Sequence, residues 1–323
     1  MPIEARLECD GESVEWTADG TYSAGDVIQL RDGRAGVLTQ DAVSGQVVGV
    51  YVKGIFEVQK TTSMYVLPGS RLYWDHSANK CHLLHRNDRD FFLGSAYGSS
   101  TVVGADATAA STSLLVNLNK QPVYTVSLAS GFVSVPINTA GFPFVHGTGE
   151  GVNLGFSATA EVQKVDALSH RGFAGGSAGA EAIVDALICI NTNGDASAVD
   201  INVGIANATH ASDADSIAES LFVHIDGAST RIKLESDDGT TEVAATDTTL
   251  DFTAGTPFLV QWDLRNLEDI QVYIDGVNVL PSSVFKLNAA TGPLKCLAHM
   301  EKTSDDSPGN VSVLLLGART AQV

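Results

Sequence analysis

Short runs in which apolar and polar residues alternate recur along the chain, whereas helical spacing of apolar residues is scarce. Gly, Asp, Asn and Ser separate these runs, and the 31 glycines suit tight turns between strands. Alternation with a period of two is typical of strands that bury one face, and many short strands divided by such turns are typical of barrels and sandwiches. The pattern therefore predicts an all-β protein.

The first third of the chain predicts a small β-barrel that ends near residue 118. Three of its strands follow a glycine and a small or polar residue, at Gly25, Gly45 and Gly69. Glycine adopts a positive φ without steric cost, and the next residue turns the chain into the strand. Strands are predicted here at residues 27–30, 47–52, 55–58, 72–74 and 114–118.

The rest of the chain predicts about ten strands, which suit a two-sheet sandwich. Residues 124–128 and 132–135 are expected to form a hairpin, and residues 216–219 a helical turn. The other strands are predicted at 156–165, 182–190 (with a short helix at 180–189 as the alternative), 199–205, 221–225, 231–234, 258–264, 270–274 and 311–316.

Pro122 and its polar neighbours indicate a junction, because proline does not join a central strand. The predicted organisation is a barrel domain at residues 1–118, a linker at 119–122 and a sandwich domain at 123–323. A length of 323 residues with 44% apolar and only 18% charged residues agrees with two packed domains rather than with disorder.

The formal charge of −19 repels phosphate backbones, so nucleic acid is not an expected partner. No apolar run approaches the roughly 20 residues of a membrane helix, so no membrane partner is expected either. The N-terminus lacks the basic-then-apolar pattern of a signal peptide, which predicts synthesis in the cytoplasm.

Four separated cysteines without a C-x-x-C motif predict buried free thiols: Cys9, Cys81, Cys189 and Cys296.

Residues 175–179 (GGSAG) satisfy the G-x-S-x-G pattern of a serine hydrolase. A nucleophile elbow needs a strand before the serine, a helix after it and alternating strands and helices around it. The surrounding sequence shows no such alternation, so we interpret the stretch as a loop. No catalytic residue and no cofactor-binding residue are predicted, and the chain is not expected to be an enzyme.

Five potential metal ligands lie close together in the sequence: Asp75, His76, Cys81, His82 and His85. On a strand, His82 and His85 would point to opposite faces because their separation is odd. A zinc site needs three or four converging ligands, so none is predicted here and no metal cofactor is expected.

Acidic residues suggest two further kinds of chemistry. Asp213 and Asp215 begin like a calcium loop, but Ile217 stands where that loop requires an oxygen ligand. Acidic turns at 237–239 and 305–306 leave a calcium ion between sandwich loops as an alternative. Glu235 and Asp237 have the even spacing of a glycosidase pair, although a turn follows at once.

An ordered set of short motifs in the first 118 residues resembles a family of small phage head proteins, the β-barrel capsid decoration or cement proteins. Ser70 departs from the pattern, since the family usually has Asp there. The motifs are AGDV at 24–27, VGV at 48–50, VKGIFEV at 52–58, PGSRLYWD at 68–75 and LGSA at 93–96.

Two stretches in the second part, FLVQWDL at 258–264 and DIQVYIDGV at 269–277, resemble the late strands of concanavalin- or laminin-G-like sandwiches. This resemblance implies a jelly-roll or concanavalin-like β-sandwich. That fold carries lectins, glycosidases and structural modules, so fold alone does not choose among them.

The resemblance to decoration proteins implies a structural virion protein on the outer capsid surface. Its partners would be the major capsid protein and further copies of itself, in a trimer that clamps neighbouring capsid subunits while the sandwich projects outward. The family's N-terminal arm often lies along the shell, which here implies capsid contacts by Leu7, Val14 and Trp16. The alternative is a virion carbohydrate-binding or adhesion protein that uses the sandwich to bind host-surface glycans.

Overall fold

The predicted all-β class is confirmed by the computed structural model of the chain. The structure describes residues 5–7, 12–98, 108–136, 144–147, 151–176, 181–195 and 197–320. Within these ranges, helical structure is limited to two short 3₁₀ turns, Leu128–Ser130 and Ala214–Ser216. The chain divides into two compact units, Met1–Val123 with Asp275–Val277, and Tyr124–Ile274 with Asn278–Val323.

The first unit contains two antiparallel sheets. One sheet has the strand order β2-β5-β4-β3 and the other has the order β1-β6-β10-β9-β7-β8. The strands are β1 (Ala5–Leu7), β2 (Glu12–Thr17), β3 (Val27–Gln29), β4 (Ala35–Leu38), β5 (Val47–Lys53), β6 (Ile55–Gln59), β7 (Arg71–Asp75), β8 (Lys80–His82), β9 (Phe91–Ala96) and β10 (Ser113–Leu118).

Tight turns lead into β3, β5 and β7, as the three glycines predict. Gly25, Gly45 and Gly69 have φ values of 88°, 85° and 75°, where a side chain would be strained. In each turn, the amide after the glycine donates to the carbonyl three residues earlier, at 3.1, 3.0 and 3.1 Å. The chain therefore uses one turn geometry three times in this unit.

The predicted barrel takes the form of open sheets, and strand pairing in the described residues does not close into a barrel. A single parallel bridge between Lys60 and Cys81 joins the end of β6 to the edge strand β8. Lys60 is 1% exposed, and its ammonium group donates to the carbonyls of Thr61 at 3.1 Å and Met64 at 2.8 Å. These bonds satisfy a buried charge beside the bridge.

Asn119 is bonded into the first unit, although the sequence assigns it to the linker. Its side chain accepts from the Ala35 amide at 2.9 Å and donates to the carbonyls of Ala35 at 2.9 Å and Val52 at 2.8 Å. Its φ of 59° suits asparagine, which tolerates the left-handed region better than most residues. The side chain thereby connects β4 and β5 to the end of β10.

The second unit is the predicted two-sheet sandwich. One sheet has the order β13-β14-β26-β17-β22-β23-β24, with β11 paired to β26. The other, called the β25 sheet below, has the order β12-β15-β25-β18-β19-β20-β21, with β16 paired to β25. The strands are β11 (Val126–Ser127), β12 (Phe132–Val133), β13 (Phe144–Gly147), β14 (Val152–Phe156), β15 (Glu161–Ser169), β16 (Phe173–Ala174), β17 (Ala182–Thr192), β18 (Val199–Ala206), β19 (Glu219–Asp226), β20 (Arg231–Asp238), β21 (Glu242–Asp251), β22 (Phe258–Asp263), β23 (Gln271–Ile274), β24 (Val277–Val279), β25 (Pro293–Asp305) and β26 (Gly309–Thr320).

The inner faces of these two sheets form one apolar core. Trp262 on β22 is 1% exposed, and Val184, Ile201 and Val313 of the same cluster are fully buried. Burying a large apolar side chain stabilises a fold by roughly 1.5–3 kcal/mol, so this core is the main source of the unit's stability.

Three local expectations are wrong. Residues 124–128 and 132–135 do not form a hairpin, because β11 pairs with β26 while β12 pairs with β15 in the other sheet. The strand expected at 156–165 is divided, since β14 ends at Phe156 and β15 begins at Glu161. The helical turn expected at 216–219 lies earlier, at Ala214–Ser216, where the Asp213 side chain accepts the Asp215 amide.

Cys81, Cys189 and Cys296 are free and buried, as predicted, whereas Cys9 lies outside the described residues. Within the described ranges, no helix has the length and apolar character that crossing a membrane requires.

Replacing Gly94 by alanine should destabilise the first unit by about 2–3 kcal/mol through overpacking. Gly94 lies on β9 opposite β10, and a Cβ there would meet the Asn117 carbonyl oxygen at 2.2 Å. We expect faster hydrogen exchange of the β9 and β10 amides and a lower unfolding temperature. Gly33→Ala is the matched control, because Gly33 also has a positive φ, +86°, but open space around a Cβ. Equal losses in the two variants would show that the close approach of the strands is unimportant.

Candidate functional site

The outer face of the β25 sheet carries a regular set of polar residues. Five neighbouring strands each place two polar side chains around one apolar residue, and the apolar residue points into the core. These triplets are Lys164-Val165-Asp166, Asp200-Ile201-Asn202, His224-Ile225-Asp226, Lys233-Leu234-Glu235 and His299-Met300-Glu301. We call the ten polar residues the polar face.

Strand register aligns the polar face in rows across the sheet. Asp166 lies opposite His299, and His299 lies opposite Asn202 on its other side. His224 follows Asn202 in the same row. Residues that are distant in sequence thus become direct neighbours, and most of them are buried: Asn202 and His299 are 0% exposed and His224 is 4% exposed.

His224 is the centre of the most connected part of this face. Its Nε2 lies 2.7 Å from Asp226 Oδ1, while its Nδ1 faces Asp215 Oδ1 at 3.3 Å and Glu235 Oε2 at 3.5 Å. Burial alone would lower the pKa of His224, but the carboxylates of Asp215 and Glu235 outweigh burial and raise it to about 11. The imidazole is therefore held by carboxylates on both sides.

A short loop brings Asp215 to the polar face. It contains the 3₁₀ turn Ala214–Ser216, whose first residue is buried against the sheet. A small apolar cluster fixes this loop, and its members are Leu168, Ala206, Ala214, Ile217, Phe222 and Leu297. Asp215 itself keeps 47% of its side chain exposed, so this end of the polar face reaches solvent.

The opposite end of the polar face is a buried ion pair. Lys164 Nζ lies 2.5 Å from Asp166 Oδ2, with side chains 3% and 1% exposed. Burial would raise the pKa of Asp166, but hydrogen bonds from Lys164 and Thr209 lower it. The Val135 amide also donates to Asp166 at 2.9 Å, which ties the segment after β12 to this pair.

Glu301 and His299 lie between these two ends. Burial, together with the negative charges of Asp213 and Asp215, raises the pKa of Glu301 to about 8. Burial and the nearby Lys164 lower the pKa of His299 to about 4. His299 Nε2 lies 2.7 Å from Glu301 Oε2, so at neutral pH the protonated carboxyl of Glu301 can donate to the uncharged ring of His299.

The polar face can hold charges and hydrogen bonds, but His224 is not paired with a hydroxyl or thiol nucleophile. The partners of His224 are carboxylates and the Asn202 amide. A nucleophilic serine, threonine or cysteine requires a base within reach of its hydroxyl or thiol. Among the described residues, no hydroxyl or thiol forms a hydrogen bond with this imidazole.

The predicted capsid contacts lie on two edge strands. Leu7 is on β1, at the edge of the six-stranded sheet, with its backbone opposite Phe56. Val14 and Trp16 are on β2, at the edge of the four-stranded sheet, and their half-buried side chains pack on its apolar cluster. Trp16 also makes an edge-to-face contact with Tyr22 at 5.2 Å. Contact of these residues with a capsid stays a prediction.

The other sequence motifs are placed as follows. Residues 177–180, which include the serine of the G-x-S-x-G pattern, lie outside the described residues. The potential zinc ligands of the first unit have separate functions: Asp75 accepts three bonds in a turn, His76 contacts Arg89, and His82 accepts the Leu84 amide. Among the described residues, these potential ligands do not converge closely enough to hold one metal ion.

The acidic motifs of the second unit are divided between turns and the polar face. Asp213 caps the 3₁₀ turn, and Asp237 accepts the Gly239 amide in a bend. Asp215 and Glu235 instead meet at His224. Sequence reasoning missed His224 and Asn202 as their partners, although the polar-apolar-polar triplets were a visible signal.

Residues 9–118 match the family model described as phage cement protein. This match confirms the resemblance that the N-terminal motifs indicate. No protein in the curated comparison matches the chain.

Several solved structures are similar to part of the chain. The Emp47p carbohydrate recognition domain is 10% identical with a TM-score of 0.41, over 60% of this chain and 99% of that one. Carbohydrate binding module CBM66 from Bacillus subtilis is 10% identical with a TM-score of 0.35, over 58% and 95%. Alginate lyase AlgAT5 from polysaccharide lyase family 7 is 15% identical with a TM-score of 0.39, over 60% and 96%. At these scores the similarities carry no argument about this chain.

Glu301→Gln should make stability less dependent on pH. The raised pKa means that folded Glu301 keeps a proton between its ordinary value of 4.5 and about 8, whereas the unfolded chain releases it. Its contribution to stability is thus present below this window and lost as pH rises through it. Glutamine mimics the protonated acid, so we expect the variant to equal the parent at about pH 4, below the window, and to exceed it by at least about 1 kcal/mol at about pH 8. Urea unfolding at both pH values measures this, and parallel pH profiles would contradict it.

Proposed function

We propose that this chain is a structural, non-enzymatic virion protein that binds the outer face of an assembled phage head and stabilises it. The match of residues 9–118 to the phage cement family carries this proposal. The formal charge of −19 agrees with a position outside the DNA-filled shell, because such a field repels phosphate. In this proposal the protein binds the major capsid protein, and it binds neither nucleic acid nor a membrane.

The open edge of β2 is the capsid contact that we favour. An edge strand presents unpaired amides and carbonyls to which another chain can add a strand. Within the described residues, β2 pairs with β5 on one side and has no partner strand on the other. Its side chains alternate between exposed Glu15 and half-buried Val14 and Trp16. A capsid segment paired there would cover Trp16 further, and Leu7 on edge strand β1 would offer a second contact.

Clamping requires several contacts that act together. In a homo-oligomer, which we propose to be a trimer, each copy would bring one edge to a neighbouring capsid subunit. Linked contacts can exceed the affinity of one contact by roughly 10²- to 10⁴-fold. In this proposal residues 1–118 bind the capsid, residues 119–122 connect, and residues 123–323 form a sandwich that projects into solvent.

Carbohydrate binding by the sandwich stays a prediction. Sugars are often bound by stacking on open aromatic rings. Among the described side chains, the exposed aromatic residue is Tyr97, which is 39% exposed and lies in the first unit. The described part of the sandwich therefore favours a structural module over a glycan platform. Binding to a host-glycan array would reverse this preference.

Heads assembled without this protein should become more stable when the purified full chain is added. We expect saturable binding at a fixed copy number per capsid subunit and a higher temperature of DNA release. Bovine serum albumin at the same concentration is the control for crowding. If the chain fails to bind expanded heads, or if bound heads release DNA at an unchanged temperature, the cement function is wrong.

Trp16 should become shielded from acrylamide when the chain binds heads. Trp74 and Trp262 are each 1% exposed, so half-buried Trp16 provides the quenchable fluorescence of the chain. The signal is the difference in fluorescence between the parent and Trp16→Phe, a variant that keeps an aromatic ring against Tyr22. Taking this difference removes the background fluorescence of the capsid tryptophans. Unchanged quenching at saturating binding would remove β2 from the contact without affecting the cement function.

A further inference from the structure

Four side chains of the second unit converge at one end of the polar face. They are called the His224 set and comprise Asn202, Asp215, His224 and Glu235. His224 Nδ1 lies 3.2 Å from Asn202 Nδ2, 3.3 Å from Asp215 Oδ1 and 3.5 Å from Glu235 Oε2. Asn202 Nδ2 lies 2.9 Å from Asp215 Oδ1 and 2.8 Å from Glu235 Oε1.

The distances around His224 Nδ1 are too long for the bonds that charged groups usually form. A charge-assisted N–H···O bond measures about 2.7–2.9 Å. The Nε2 side of the same ring meets that standard, at 2.7 Å from Asp226. On the Nδ1 side, three polar atoms surround the nitrogen at 3.2–3.5 Å without one closing on it.

Such spacings are those of donor atoms that share a metal ion. Ligands at 2.0–2.1 Å from a tetrahedral metal lie about 3.3–3.4 Å from one another. The three distances from His224 Nδ1 run from 3.2 to 3.5 Å and match this spacing, whereas the two from Asn202 Nδ2, at 2.8 and 2.9 Å, are ordinary hydrogen bonds. Calcium, with six to eight oxygen ligands at about 2.3–2.6 Å, requires a larger and more oxygen-rich shell.

The Asn202 amide supplies an independent sign of a missing partner. Its nitrogen donates to Asp215 and Glu235 and also lies 3.2 Å from His224 Nδ1, whereas its oxygen is buried without any hydrogen-bond partner. Asn202 is 0% exposed, so water does not readily satisfy that oxygen. Turning the amide by half a rotation would aim the oxygen at the centre of the set, where a cation would satisfy it.

The surroundings of His224 match those of a metal-bound imidazole. A histidine that ligates a metal usually donates its other N–H to a carboxylate, which fixes the ring and increases its basicity. Asp226 accepts from Nε2 and is itself paired with Lys233. Half-exposed Asp215 gives a path from solvent to the set.

We propose that the His224 set binds one divalent transition-metal ion of the zinc type. The side-chain oxygens of Asn202, Asp215 and Glu235 and the Nδ1 atom of His224 would be the ligands. Two carboxylates balance the charge of a dication, and an imidazole among oxygen ligands favours zinc or a similar ion over calcium or magnesium. Binding displaces the proton on Nδ1. The bound ion would hold the Asp215 loop against the β25 sheet.

Zinc titration of the full-length, chelator-treated protein tests this proposal. We expect one zinc ion per chain, an unfolding temperature that rises with zinc concentration, and cobalt binding with visible absorption of a low-symmetry site. Asp215→Asn should weaken zinc binding at least about tenfold. This variant keeps the shape of a half-exposed side chain, and Asp213 still caps the turn, so the loop is retained.

Asp247→Asn is the matched control, because it removes the same charge from half-exposed Asp247 on neighbouring β21, outside the His224 set. We expect its zinc affinity to lie within about twofold of the parent. The proposal is overturned if the parent binds no stoichiometric zinc or if Asp215→Asn binds it as tightly as the parent. Displacement of zinc by an equal concentration of calcium would overturn the assignment to a transition metal.

Discussion

The second unit depends on a sheet that is buried on both faces. One face of the β25 sheet packs on the apolar core, and the other carries charged side chains that are largely removed from water. A buried charge is costly unless a partner compensates it. A slip of one residue in any of these strands would move Val165 or Ile201 to the polar face and a charge into the core. Charge pairing and core packing therefore specify the same register.

The first unit reaches its register by backbone geometry instead. Three glycine turns of one type start β3, β5 and β7, and Asn119 in the left-handed region bonds the backbone of β4 and β5. The groups that the Asn119 side chain and the turn amides contact are backbone atoms, so these devices do not constrain the side chains on the edge strands. For the proposed capsid contact, this means that edge side chains can change without loss of the fold.

Local patterns predict strands well and sheets poorly. The strands expected at 47–52, 182–190 and 199–205 are present within two residues, because alternation and turn glycines are local signals. Long β25 and β21 were not predicted, and β11 and β12 were assigned to one hairpin. Sheet membership is decided by partners more than a hundred residues away, such as β26 for β11, which no local pattern contains.

The polar face shows the same limit at the level of chemistry. A triplet such as His224-Ile225-Asp226 describes a half-buried strand and nothing more when taken alone. Its meaning changes when pairing places Asn202 beside His224 and the loop adds Asp215. The potential zinc ligands of the first unit were easier to notice because they are close in sequence. The same closeness places them in short segments that reverse direction, where polar side chains such as those of Asp75 and His82 accept backbone amides of the turns and do not converge on a metal.

Stability alone does not account for the charged end of the polar face. Buried ion pairs often add little or nothing compared with apolar residues of similar volume. The same face of the same strands offers that apolar solution, since Leu168, Phe222 and Leu297 lie two residues from Asp166, His224 and His299 and already hold the loop. The loop would need only more of such contacts to stay in place. A cluster of carboxylates that reaches solvent through Asp215 costs desolvation free energy and holds the loop less efficiently than apolar contacts would. A positive ligand that binds to this face explains the cluster better.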